Sequence, residues 1–342
     1  MAVSLNALSA LPLTPSIVSA VETAAAAIAR LDARFSVSSV AAPWSRRAAW
    51  TGYTRALQLQ GAEIDEIDVL SWACDLPIAG RRPRISATDE FDAFAAWWSR
   101  LSSRSTSNWR DHFPLTPATD PALDGWPAIL RAIETCRQAT RHDRSVEAWL
   151  WLPELLKGVG LATAPLPCLV EGTKAFRLRA TPTPDEWRAV ARAVAKAAAQ
   201  GLERLESMEG HHRHAIAALA GERRPGALTR LLALATVSPL LSPQAVSTIL
   251  KLSLPGAGKL LARARDLGLL VEVSGRRVWK RYLVPDLAVT FGYVPAPRGR
   301  PTSLPATSPL DRDLAATLRA FDAEMHAFDL RFGMRPEDPV VP

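Results

Sequence analysis

The stretch LSPQAVSTILKLSLPGAGKLLARARDLGLLVEVSGRRVWKRYLV, residues 241–284, carries the clearest structural signals of the chain. Ser242 followed by proline predicts a helix start, because serine caps a helix and proline suits its first position. Ser253 predicts the start of a second helix, and Gly268 its end. The predicted order is helix, turn, helix and two-stranded hairpin, over residues 243–250, 251–253, 254–267 and 269–284. A further short helix is expected just before them, over residues 228–237.

The second predicted helix has one face for the core and one for solvent. Apolar residues recur at three- and four-residue steps and should be buried: Ala257, Leu260, Leu261, Ala264 and Leu267. Lys259 and Arg263 fall on the opposite stripe, one turn apart, so both cations are expected to project outward. Gly256 and Gly258 weaken the helix by about 1 kcal/mol each relative to Ala. Close approach of a phosphate to the helix N-terminus is a reason to keep them.

Other residues extend this polar surface on both sides of the helix. Lys251 stands in the turn where many such turns have Gly, and Arg276 and Arg277 stand at the tip of the hairpin. In a helix-turn-helix protein the second helix enters the major groove of DNA. We therefore predict a winged helix-turn-helix domain over residues 226–290. Its predicted DNA-contacting residues are Lys251, Ser253, Gly256, Lys259, Arg263, Arg276, Arg277, Lys280 and Arg281.

Positive charge is concentrated in the same part of the chain. The whole chain has 41 Lys and Arg against 34 Asp and Glu, a net charge of +7. Residues 221–300 hold 13 of these cations and 4 of the acids, a net of +9, which leaves −2 for the remainder. Such asymmetry favours a polyanionic partner, and we expect double-stranded DNA. If about six cations neutralise phosphates, log K should fall against log salt with a slope of about −5.

The rest of the chain predicts a mainly α protein. High Ala content, with few alternations of Val, Ile and Thr, favours helix over sheet. We expect an N-terminal helical domain over residues 1–222, with its first helix starting at Thr14-Pro15, and a Pro-rich linker over 294–309. An amphipathic helix over 310–333 has a heptad-like seam, formed by Leu314, Leu318, Phe321, Met325, Phe328 and Phe332. This helix either docks on the N-terminal domain or forms a homodimer, which would suit a two-part DNA site.

Motifs for catalysis, metal binding and targeting are missing from the sequence. There is no GxSxG, HExxH or paired CxxC motif, and GAGKLL at 256–261 lacks P-loop spacing. In the run 211–214, only His211 and His214 share a helix face, without an acidic or Cys partner at ligand spacing. We predict no catalytic residue, metal or cofactor, and a solvated helix face for the acidic run 63–68.

The three cysteines indicate the compartment. Cys74, Cys136 and Cys168 lie far apart, and an odd number without pairing spacing is typical of a reducing cytoplasm. Residues 1–16 lack the basic start and cleavage site of a signal peptide. No uncharged apolar run reaches the roughly 18 residues of a membrane span. We therefore expect a cytoplasmic protein.

Several segments resemble Fic-type proteins: ARFSVSSVAAPWSRRAAWTGYTRALQLQGAEIDEIDVL (33–70), WLPELLKGVGLATAPLPCLVEGTKAF (151–176), the long helix from Pro184, and GLLVEVSGRRVWKRYLV (268–284). Fic enzymes transfer a nucleotide monophosphate from ATP to a protein hydroxyl through an HPFxxGNGR loop. The corresponding stretch here is ATRHDRSVEAWLW, which keeps His142 but lacks the Pro-Phe, the Gly-Asn-Gly cradle and the final Arg. Without a Gly-rich turn there are no backbone amides to hold the phosphates, so the resemblance carries over no catalytic residue.

Over about residues 35–290 the chain is more similar to a bacterial family of unknown function, which joins a helical domain to a C-terminal helix-turn-helix domain. That resemblance implies DNA binding by the C-terminal module. The sequence therefore predicts a non-enzymatic DNA-binding protein, a transcriptional regulator. The alternatives are a Fic-derived nucleotidyl transferase with a degenerate loop and an adaptor that binds protein through the winged module, its cations merely solvated.

Overall fold

The computed structural model describes residues 13–74, 76, 94, 97–99, 125–142, 147–172, 174–179, 181–274 and 280–295. Within them the chain is mainly helical, as the sequence predicts. No helix in these ranges is long and apolar enough to cross a membrane. The predictions for the first twelve residues, for Arg276 and Arg277, for the linker beyond residue 295 and for the helix over 310–333 lie outside the described residues.

The chain forms two compact units, Met1–His212 and Arg213–Pro342. The elements of the first unit are α1 (Pro15–Val37), α2 (Ala41–Leu59), α3 (Glu66–Ala73), α4 (Ala128–His142), α5 (Glu147–Leu150), α6 (Leu152–Gly158) and the 3₁₀-helices η1 (Pro167–Leu169) and η2 (Lys174–Phe176). Helix α7 (Pro184–Gly221) begins in this unit and ends in the second. The sequence places the domain boundary later, at residues 222–226, in the connection that follows α7.

Local signals explain where these helices start and stop. The Thr14 hydroxyl accepts the amide of Ile17 at 3.4 Å, which caps α1 as predicted. Helix α5 ends at Leu150 and α6 starts at Leu152. Pro153 accounts for the break, because proline has no amide to donate to the preceding turn.

Two helical glycines let the first unit pack closely. A Cβ on Gly52 of α2 would overlap the carbonyl oxygen of Pro167 in η1. A Cβ on Gly201 of α7 would lie 2.7 Å from the Cys168 sulfur, and the Trp44 indole donates to the Gly201 carbonyl at 3.1 Å. Glycine weakens a helix interior, so both residues lower the stability of their own helices. In return, the missing side chain lets the helix backbone come close to its neighbours.

The acidic run 63–68 is not simply solvated, which corrects the sequence-based expectation. The Glu66 side chain is only 19% exposed. Arg204 of α7 donates to its two carboxylate oxygens at 2.8 and 3.1 Å, and the Thr51 hydroxyl donates to it at 2.8 Å. A charge run in sequence does not reveal a partner that lies 138 residues away.

The second unit contains α8 (Leu228–Val237), β1 (Leu240–Leu241), α9 (Pro243–Leu250), α10 (Leu254–Asp266), β2 (Val271–Glu272), β3 (Tyr282–Leu283) and α11 (Pro285–Thr290). The strands form one antiparallel sheet in the order β1-β3-β2. The sequence predicts β2 and β3 as longer strands, and it does not predict β1. Leu240 pairs with Leu283 across β1 and β3, so this sheet joins the hairpin to the segment before α9.

Candidate nucleic-acid interface

Hydrogen bonds fix the turn between α9 and α10. Ser253 accepts the amide of Gly256 at 3.2 Å and so caps α10. Lys251 adopts the left-handed conformation, with φ 54° and ψ 47°. This is the turn position where glycine is common, because it carries no Cβ penalty there. The Ser247 hydroxyl donates to the Leu252 carbonyl at 2.7 Å, which holds the lysine in this unfavourable geometry.

Helix α10 presents the two faces that the sequence predicts. Ala257, Leu261 and Ala264 are fully buried, while Leu260 and Leu267 are half-buried. Lys259 lies on the opposite face and is exposed. Gly268 follows the helix with a φ of 72°, which fits its predicted role as the terminating residue.

Arg263 departs from the expected arrangement because it is not free in solvent. Its guanidinium forms an ion pair with Glu222 and donates to the Arg224 carbonyl at 3.1 Å. The side chain is 39% exposed. Both acceptors belong to the connection between α7 and α8. Helical spacing locates Arg263 correctly on the outer side of α10, but it cannot show that this connection reaches it.

Arg265 of α10 and Lys280 of the hairpin are also engaged with acidic groups. Glu272 of β2 accepts from Arg265 and from Lys280, each at 3.2 Å. Arg265 pairs with Asp266 as well, at 2.8 Å, and the hydrogen bond and charge of Asp266 raise the pKa of that guanidinium. Sequence reasoning did not single out Arg265, although the adjacent acid was a signal for it. Arg281 is half-buried and donates to the Lys280 carbonyl at 3.4 Å.

Two of the predicted contact residues remain available to a partner. Lys251 and Lys259 are both exposed, and neither has a carboxylate within ion-pair distance among the described residues. One lies in the turn before α10 and the other on the helix itself. The two ammonium groups therefore make the surface near the N-terminus of α10 positive. The N-terminus of a helix already favours anions.

The glycines of α10 differ in their surroundings. A Cβ on Gly256 would lie 3.0 Å from the Ser253 hydroxyl, whereas a Cβ on Gly258 would meet no atom of another segment within 4 Å among the residues that the structure describes. Internal packing therefore gives no reason for Gly258.

Comparisons with known proteins add no further constraint. No protein-family model matches the chain, and no curated protein shows significant sequence similarity to it. Within the part of the chain that the structure describes, no group of three or more His, Cys, Asp or Glu side chains is placed to hold a metal ion.

Proposed function

We propose that this protein is a non-enzymatic transcriptional regulator that binds double-stranded DNA through a winged helix-turn-helix, with α10 as the recognition helix. One observation carries the proposal. Lys259 is exposed on the outer face of a helix whose opposite face buries Ala257, Leu261 and Ala264, and among the described residues no carboxylate neutralises it.

Further features support DNA rather than a small anion or an apolar partner. Lys251 adds a second exposed cation at the start of the same helix. The order of elements from α8 to β3 agrees with a helix-turn-helix followed by a hairpin, in which the second helix would enter the major groove. The net charge of +9 over residues 221–300 suits a polyanion. We propose relatedness to Fic-type proteins for the larger unit, without their phosphate-binding loop.

The direct test is titration of a fluorescent duplex at a series of salt concentrations. Two of the roughly six cations considered, Arg263 and Lys280, are already ion-paired. If they stay paired, about four phosphates are neutralised and the slope of log K against log salt is about −4. A slope near zero contradicts the proposal and favours an adaptor that binds protein.

A pair of variants locates the interface. Lys259→Gln should weaken binding about tenfold, as expected for the loss of one charged contact and its counterion release. Lys196→Gln is the matched control, because Lys196 is an exposed lysine on a helix of the first unit. Equal effects of the two substitutions would mean that α10 is not the contact surface.

The enzymatic alternative needs a separate measurement. A Fic-derived nucleotidyl transferase would move label from ATP onto a protein hydroxyl, and our proposal expects no transfer.

Recovery and sequencing of bound genomic fragments would then identify the DNA site.

A further inference from the structure

We infer that Glu222 regulates this interface by holding Arg263 of α10 in an internal ion pair, so that Arg263 contacts DNA only when the pair opens. The inference rests on the proposed function and concerns its regulation. It assigns an inhibitory role to a carboxylate that lies outside the recognition helix.

Two acceptors outside α10 hold the guanidinium of Arg263 in place. Its Nη2 atom contacts the Glu222 carboxylate and also donates to the Arg224 carbonyl at 3.1 Å. Two acceptors from one three-residue stretch, 222–224, therefore hold the same nitrogen. Glu222 is 25% exposed and Arg263 is 39% exposed, so the pair lies at the surface, where water or a phosphate can reach it.

The position of Arg263 brings the carboxylate close to the proposed DNA-binding face. Arg263 follows Lys259 by four residues, which places the two side chains one helical turn apart on the same side of α10. A phosphate that approached Arg263 would compete with Glu222 for the guanidinium and would be repelled by its charge. DNA must therefore displace Glu222 or bind without the help of Arg263.

The stretch that carries Glu222 is a connection between two helices. Glu222 comes directly after the last residue of α7, and α8 begins at Leu228. The stretch also contains Gly226, with a φ of 54°. Glu272, another paired acid, instead lies within β2 and accepts from Arg265 of α10 and from Lys280.

The test measures duplex affinity and salt slope for Glu222→Gln, Arg263→Gln and the double variant. Glu222→Gln should tighten binding about three- to tenfold at low salt and steepen the slope by about 1, since one more cation becomes available to a phosphate. In the Arg263→Gln background the same change should have almost no effect. Asp266→Asn is the matched control, because it removes a carboxylate from α10 that is paired with Arg265.

The outcomes separate this inference from the proposed function. If Glu222→Gln leaves affinity unchanged while Lys259→Gln weakens it, the pair is only structural and the DNA-binding proposal stands. If Asp266→Asn tightens binding as much, or the gain persists without Arg263, general charge removal explains the effect and the inference is wrong. If none of these substitutions changes affinity, the proposed function itself fails.

Discussion

Replacing Gly258 by alanine should change stability and DNA affinity in opposite directions. Gly258 lies within α10, and in the described part of the chain no atom of another segment lies within 4 Å of the position that a Cβ would take. The methyl group therefore meets no resistance in the folded protein. Alanine is favoured over glycine in a helix interior by about 1 kcal/mol, so the free energy of unfolding should rise by about 0.5–1 kcal/mol.

The assay for stability is urea denaturation followed by circular dichroism. With a denaturant dependence of about 1–3 kcal/mol per M, the midpoint should rise by about 0.2–1 M. Gly210→Ala is the matched control, because Gly210 is also helical and a Cβ there meets no other segment within 4 Å among the described residues. Both variants should gain stability by similar amounts.

The two variants should differ in DNA binding. If the duplex approaches the backbone at Gly258, the added methyl group pushes its phosphate away from α10 and weakens the charged contact of that phosphate with Lys259. Such contacts contribute about 1.5–3 kcal/mol, so affinity should fall about tenfold or more, while Gly210→Ala should bind normally. Unchanged affinity in Gly258→Ala would refute the argument that the duplex approaches α10 at this glycine.

Three predictions concern the first unit. Gly52→Ala should lower the free energy of unfolding by about 2 kcal/mol or more, measured by urea denaturation, because its Cβ would overlap a backbone carbonyl. Arg137→Met should cost about 3–5 kcal/mol in the same assay, since it leaves Glu134, whose side chain is 1% exposed, as an unpaired buried charge. Burial raises the pKa of the Cys168 thiol from its ordinary 9.0 to about 12. The folded state thus favours the neutral thiol, and the free energy of unfolding should fall as the pH rises above 9.0. Cys168→Ala should lose this part of the pH dependence.

The element boundaries of the second unit were predictable because their signals are local. Ser242 accepts the Ala245 amide at 3.1 Å, and Ser253 accepts the Gly256 amide at 3.2 Å. Each serine acts within three residues of itself, so the sequence contains both partners of the bond. The helices over 228–237 and 243–250 accordingly have the predicted bounds.

Features that depend on distant residues were not predictable. Strand β1 is two residues long, too short to show an alternating pattern, and it exists because Leu241 pairs with Tyr282. The capture of Arg263 by Glu222 joins residues 41 positions apart. Helical periodicity reports which face of α10 a side chain occupies. It contains no information about which other segment is packed beside that face.

The same distinction governs the electrostatic argument. Ion pairing leaves the net charge of +9 over residues 221–300 unchanged, but it decides which cations a phosphate can reach. Three of the four acids in this segment are paired with named cations: Glu222, Asp266 and Glu272. DNA carries one charge for about every 1.7 Å of its axis, so affinity depends on cations aligned locally with its backbone. A chain of identical composition with Lys259 turned toward the core would keep the same net charge and lose the proposed interface. The helix face that carries this lysine is therefore stronger support for DNA binding than the charge count.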